Sequence, residues 1–161
     1  MNYNKIRKMD ISNGPGVRIS IFMQGCSFHC KGCFNEETWD FQKGKELNED
    51  AVNKIIELAS PNHISGLSVL GGEPLHPKNI QGTLNLIKKF KQTYPNKTVW
   101  VWTGFLFDDI KEDISNIDVL VDGRFDITKA DPTLKWKGSK NQRVIDVKKS
   151  IKNKKVYLME E

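Results

Sequence analysis

No apolar run in this chain approaches the ~20 residues of a membrane-spanning helix, and the residues after Met1 lack the apolar core of a signal peptide. The expectation is a cytoplasmic protein with no membrane role. Histidine is scarce, present only as His29, His63 and His76, and no nucleophile stands beside a histidine in the way acyl-transfer chemistry asks for. His63 and His76 read as surface residues. Cysteine is scarcer than a disulfide-built domain needs: there are three, an odd number, all between Cys26 and Cys33. That count argues against a stapled framework and fits a reducing compartment. Acidic residues nearly vanish toward the end, where nine basic residues from Lys135 to Lys155 are met by Asp146 alone. Only Trp136 and Tyr157 interleave with those charges. The pattern describes a solvated face, or one that steers an acidic protein partner, and not a nucleic-acid groove.

What is present suffices for a folded domain. The chain has 161 residues, 38% of them hydrophobic, which supports an ordinary soluble core in one domain over residues 1–161. Residues 1–16 are polar and read as at most a short edge strand. Val17 to Met23 reads as a buried strand, closed by a turn at Gly25. Asn48 is an N-cap signal, with Val52, Ile55, Ile56 and Ala59 on one helical face behind it. A strand over Gly66 to Leu70 follows, then a helix from Asn79 that stops before Pro95, with Ile80, Leu84, Ile87 and Phe90 at helical spacing. Thr98 to Trp102 is a third strand, Phe107 to Ile114 a shorter helix, and Ile117 to Val121 a fourth strand. Arg143 to Val147 and Lys155 to Leu158 read as late strands around a lysine-rich segment. Trp39, Trp100 and Trp102 read as core or interface anchors, with Trp100 and Trp102 on one face of their strand.

Strands alternating with helices predict parallel pairing through right-handed crossovers. A closed eight-stranded barrel typically needs about 250 residues. The expected fold is therefore α/β, an open partial barrel of mostly parallel strands. The cysteine loop, Gly71-Gly72-Glu73-Pro74, Thr103-Gly104 and Asp122-Gly123 each follow a predicted strand. Active sites in such folds gather at the C-terminal strand ends, so these four groups are expected to converge on one rim.

Cys26, Cys30 and Cys33 are spaced Cys-x3-Cys-x2-Cys, close enough for three thiolates to meet one metal centre. A structural zinc site or an electron-transfer iron–sulfur cluster normally takes four protein ligands, so three leave one metal position for a substrate. His29 can supply a fourth ligand to zinc, and the spacing alone leaves zinc and iron open.

That spacing is the signature of the radical S-adenosylmethionine superfamily. The run Asn13-Gly14-Pro15-Gly16-Val17-Arg18 before it, and Cys33-Phe34-Asn35-Glu36-Glu37-Thr38-Trp39-Asp40 after it, resemble the glycyl-radical activating enzymes. Asp122-Gly123-Arg124-Phe125 and Gly138-Ser139-Lys140-Asn141-Gln142-Arg143 resemble segments of the activating proteins of anaerobic ribonucleoside-triphosphate reductases. Gly32 stands where many superfamily members carry an aromatic residue, which leaves Phe28, His29 and Phe34 to pack near the adenine.

The resemblance implies that Cys26, Cys30 and Cys33 hold a 4Fe-4S cluster whose fourth iron binds S-adenosylmethionine. It implies that Glu73, with the backbone of Gly71 and Gly72, holds the ammonium group of S-adenosylmethionine, while Thr103 and Gly104 approach its ribose or methionine part. Asp122 and Arg124 are implied as further cofactor contacts, with Asn141, Gln142 and Arg143 facing cofactor or partner. The implied reaction is reductive cleavage of S-adenosylmethionine to methionine and a 5′-deoxyadenosyl radical, which takes a hydrogen atom from a glycine of the large reductase subunit. An electron donor such as a flavodoxin would supply the electron. An activase for another glycyl-radical enzyme, such as pyruvate formate-lyase, and a non-catalytic metal-binding module are the alternatives.

Overall fold

Seven strands join in one open sheet in a computed structural model that describes residues 1–159. The strands are β1 (Asn2–Asp10), β2 (Val17–Met23), β3 (Lys45–Glu46), β4 (Ile64–Gly71), β5 (Thr98–Trp102), β6 (Val119–Asp122) and β7 (Arg143–Asp146). The helices are α1 (Glu49–Leu58), α2 (Ile80–Thr93) and α3 (Val147–Asn153). The order across the sheet is β3-β1-β2-β4-β5-β6-β7. β2, β4, β5 and β6 run parallel, and β1, β3 and β7 add antiparallel pairs at the two sides. The sheet does not close, and the parallel pairing expected from strand–helix alternation holds for its four central strands.

Alternation along these strands separates two faces. Ile19, Ile21 and Met23 of β2, Leu67 and Val69 of β4, and Val99 and Val101 of β5 share one buried cluster with Ile55 of α1 and Leu86, Ile87 and Phe90 of α2. The intervening residues point the other way: Arg18, Ser20 and Phe22, then Ser68 and Leu70, then Trp100 and Trp102. Trp100 packs with Val119 and Val121, with Trp102 and Trp136 beside them. The Trp100 and Trp102 rings lie 5.8 Å apart, as expected of residues on one strand face. Among the described residues no helix covers this second face, and the cavity described below opens along it.

At the floor of that face lies Arg18, fully buried. Its guanidinium donates to the Ser68 and Thr98 hydroxyls and to the carbonyls of Pro15, Leu67 and Thr98. One side chain thereby ties β2, β4 and β5 together, and burial pushes its pKa down to about 10.

Several elements depart from expectation. β1 is nine residues long where a short strand is expected, and β3 pairs outside it only at Asn2 and Tyr3, so from Asn4 onward β1 is the edge. Its outward side chains are mostly exposed, which its polar sequence reflects. The expected helix from Phe107 to Ile114 is one 3₁₀ turn, Phe107–Asp109. Phe107 N–H donates to the Asp122 carboxylate, which fixes that turn, and Ile110 is already extended. The strand expected to reach Val147 ends at Asp146, which caps α3 by accepting from Lys149 N–H. Of the last expected strand, only an isolated bridge between Leu158 and Ile145 forms.

Candidate active site

β2 delivers the cysteine loop, and the loop returns onto its own start. Gly25 N–H donates to the Thr38 carbonyl at 2.6 Å and Cys26 N–H to the Trp39 carbonyl at 3.1 Å. The buried Gln24 amide fastens the returning limb by donating to the Glu37 and Asp40 carbonyls. Cys26 is buried, Cys30 and Cys33 are half-buried, and none is in a disulfide. All three line one cavity of about 470 Å³, together with Trp39, Glu73 and Thr103. Asn35 N–H points at the Cys33 sulfur at 3.4 Å. Burial pushes the Cys26 and Cys30 thiols up, and a bound cation is what would favour their thiolates instead.

Among the described residues no three Cys, His, Asp or Glu side chains converge tightly enough for a single metal ion. An iron–sulfur cube places each cysteine on a different iron, so its ligands stand wider apart than those of mononuclear zinc. None of the three histidines lines that cavity. His29, at φ 48°, stacks its ring flat on Trp39, 4.4 Å between centroids. His76 accepts from Lys78 N–H and pairs with the Ser27 hydroxyl at 3.0 Å. Three free thiols in one cavity, with no fourth cysteine or histidine among its described lining residues, fit a cluster with an open iron.

β4 delivers the second group. Gly71 has φ 112°, and a Cβ there would sit 2.5 Å from Met23 N, while a Cβ on Gly72 would sit 2.5 Å from the Gly25 carbonyl oxygen. These glycines are demanded by the chain's own packing, which lets Gly72 N–H reach the Met23 carbonyl and Glu73 N–H the Gly25 carbonyl. The Glu73 carboxylate is 2% exposed. Its Oε2 accepts from Leu75 N–H at 2.9 Å and the Thr103 hydroxyl at 2.6 Å, and its Oε1 accepts from Gly104 N–H at 2.6 Å. Thr103-Gly104 at the end of β5 is thus bonded directly to Glu73. Desolvation pushes the Glu73 pKa up to about 7 against the pull of these donors, and no described cationic side chain forms an ion pair with it.

Phe28 lies against the same wall. Its ring meets Phe105 edge-on at 4.9 Å and carries the Arg124 guanidinium 4.3 Å above it. Phe34 is 76% exposed and leans on Phe125. Asp122, by contrast, is not part of the cavity lining: buried at the end of β6, it is bound in a fork by Arg143 at 3.0 and 2.6 Å. Asn141 donates to the Arg124 carbonyl and Gln142 to the Gly123 carbonyl. The Gly138 to Arg143 run therefore braces the Asp122-Gly123-Arg124 loop.

Sequence reading placed Asn79 at a helix start but missed its work. It is buried and does not cap α2. Its amide donates to the carbonyls of Gln24 and Glu73, at 3.2 and 3.0 Å, joining the cysteine loop to the Glu73 loop. A helix-boundary asparagine is the usual signal of a cap, so nothing in the sequence distinguished this use.

Comparison with known proteins agrees with this geometry. Residues 12–145 match the family model described as a 4Fe-4S single cluster domain. The chain is 40% identical over 148 residues to the anaerobic ribonucleoside-triphosphate reductase-activating protein of Vibrio cholerae, covering 88% of this chain and 96% of the relative. The protein of that name from Enterobacteria phage T4 is 40% identical, with 89% and 93% covered, and that of Escherichia coli K12 is 39% identical, with 89% and 97% covered. With the cavity's three free cysteines inside the matched region, the chain belongs to the family of anaerobic ribonucleoside-triphosphate reductase-activating proteins.

Proposed function

We propose that this chain is a radical S-adenosylmethionine enzyme, a single domain over residues 1–161 with the partial-barrel form of that superfamily, that installs a glycyl radical on an anaerobic ribonucleoside-triphosphate reductase. The observation that carries the reading is one cavity holding three unpaired cysteines and a buried carboxylate with no cationic partner. When bound at Cys26, Cys30 and Cys33, a 4Fe-4S cluster supplies the electron that splits S-adenosylmethionine, so that a hydrogen atom can be taken from the reductase glycine.

The chain's own residues do the positioning. Glu73 offers negative charge in a desolvated wall, where an ammonium group gains more than it would in water. Thr103 and Gly104 hold that carboxylate in one orientation, and Asn79 fixes the distance between it and the cysteine loop. Phe28 and the Arg124 guanidinium over its ring both line the cavity and suit contact with a base. The uncovered sheet face leaves an approach for a glycine-bearing loop of the reductase, while the lysine-rich end suits an acidic electron donor such as a flavodoxin. No described helix is long and apolar enough to cross a membrane, and the reading is of an enzyme working in the cytoplasm.

The test is anaerobic reconstitution with iron and sulfide, reduction, addition of S-adenosylmethionine with the reductase present, and quantification of 5′-deoxyadenosine. Production that disappears in Cys30→Ala is expected. An intact, reduced cluster that yields none would overturn the reading.

A further inference from the structure

β1 leaves a length of sheet edge unused. β3 pairs with it only at Asn2 and Tyr3, and among the described residues no strand lies outside residues 4–10. An open edge is a template for another chain, and charged side chains commonly guard it against unwanted pairing. β1 carries such a guard in Lys5, Arg7 and Lys8, all exposed. The guard is incomplete, because beside it Met9 is 66% exposed and Ile11 72% exposed. Two large aliphatic side chains held in water at an open edge suit a surface that a partner covers.

Charge says what kind of chain fits. The only carboxylate of β1, Asp10, is buried and already accepts from Ser12 N–H, the Asn13 amide and the Ser20 hydroxyl. Arg7 stands 3.8 Å from it, and among the described residues Lys5 and Lys8 form no ion pair. Lys5 and Arg7 lie over the Phe22 ring, 4.7 and 5.2 Å from its centroid, which keeps both charges on the open face. A second copy would bring the same three cations against these, so the edge suits an acidic strand and opposes self-pairing. Place says which chain it is. Arg7, Ser12, Asn13 and Phe22 also line the cavity of the cysteines, so a strand seated on β1 lies beside the opening where the reductase glycine has to arrive.

We propose that an extended acidic segment of the reductase adds to the sheet as a further strand along β1, over residues 4–10. This rests on the reading that the reductase is the partner of this chain. Main-chain hydrogen bonds along the edge supply the docking, and Lys5, Arg7 and Lys8 select for carboxylates on the segment. β3 stops the added strand at Tyr3, next to the paired Lys5 and Phe22, so the segment leaves the edge alongside the cavity wall.

The experiment uses the full chain with its cluster reconstituted, and the whole reductase. Hydrogen exchange should slow at amides within residues 4–10 when the complex forms. Lys5→Glu combined with Lys8→Glu should weaken the complex about tenfold or more, through slower association with less salt dependence. Lys148→Glu combined with Lys152→Glu, on α3, should not. A complex that leaves β1 exchanging as in the free chain, or one indifferent to the β1 charge reversal with the cluster fully loaded, would overturn the proposal. Protection of β1 that grows with the concentration of this chain alone would assign the edge to a second copy, and would overturn it too. If the β1 charge-reversal variant takes up no cluster, exchange in the wild type decides. Absence of any complex in the wild type is a separate result, and it would count against the reductase reading itself.

Discussion

The two faces of this sheet are made from alternate residues of the same strands, and they differ in what holds them. The face toward α1 and α2 is closed by aliphatic packing: Ile21, Leu67, Val69, Val99 and Val101 are all fully buried. The opposite face adds to the small apolar cluster of Trp100, Val119 and Val121 a set of hydrogen bonds, from the Arg18 guanidinium at its floor to the Glu73 carboxylate at its rim. Non-directional burial suits a surface that needs only to stay dry. Directional bonds suit a surface whose groups must keep their orientation while a cofactor and a partner loop come and go. The comparison teaches that stability and chemistry are separable here at the level of single residues, one position apart along a strand.

That separation can be broken from either side. The largest expected effect is on the open face: Cys30→Ala removes a cluster ligand and should abolish both iron–sulfur absorption and 5′-deoxyadenosine, with far-ultraviolet circular dichroism unchanged. On the closed face, Phe90→Ala should cost about 3–5 kcal/mol in denaturant unfolding, because Phe90 is fully buried in the helix-side cluster. Refolded at low temperature, that variant should still take up the cluster.

Glu73 sharpens the comparison through pH. Its carboxyl is raised from 4.5 to about 7 in the folded chain by burial. Between those values the folded protein keeps a proton that the unfolded chain has released, so this group's contribution to stability falls as pH rises from 4.5 and levels above about 7. The fall is roughly 3 kcal/mol at most. The wild-type minus Glu73→Gln difference in unfolding free energy, measured across that range without cofactor, should carry this slope; a flat difference would remove the burial account. Asn79→Ala should be milder, about 1–3 kcal/mol for the Gln24 carbonyl it leaves without a donor, and should raise the KM for S-adenosylmethionine by loosening the Glu73 loop against the cysteine loop. The smallest effect belongs to the exposed Phe34, where Phe34→Ser should change the unfolding free energy by no more than about 0.5 kcal/mol.

The same comparison explains what the sequence made legible. The closed face is written in periodicity: Val52, Ile55 and Ala59 marked α1, Ile80, Ile87 and Phe90 marked α2, and the apolar runs marked β2, β4 and β5. Asn48 was readable as a cap because its side chain does what a cap does, accepting from Ala51 N–H at 2.9 Å. The convergence of the cysteine loop, the Glu73 loop and Thr103-Gly104 followed from their places after parallel strands. The open face was harder because its order lies in long-range hydrogen bonds that no local pattern records. Arg18 reaches across 80 positions to Thr98, and Asn79 across 55 to Gln24. Arg143 and Asp122 sat in separate motifs, and only the antiparallel return of β7 brings them together. α3 was hidden for a different reason: with Val147 and Ser150 its only buried residues, it has almost no apolar stripe to read.

The central claim is that the open face brings a cofactor radical to a glycine of the reductase, and one measurement meets it directly. The reconstituted chain is incubated anaerobically with reductant, S-adenosylmethionine and the reductase, and the reductase is then examined by electron paramagnetic resonance. The account predicts a glycine-centred doublet that is absent when Cys30→Ala replaces the wild type. Cleavage of S-adenosylmethionine with no radical on the reductase would contradict it.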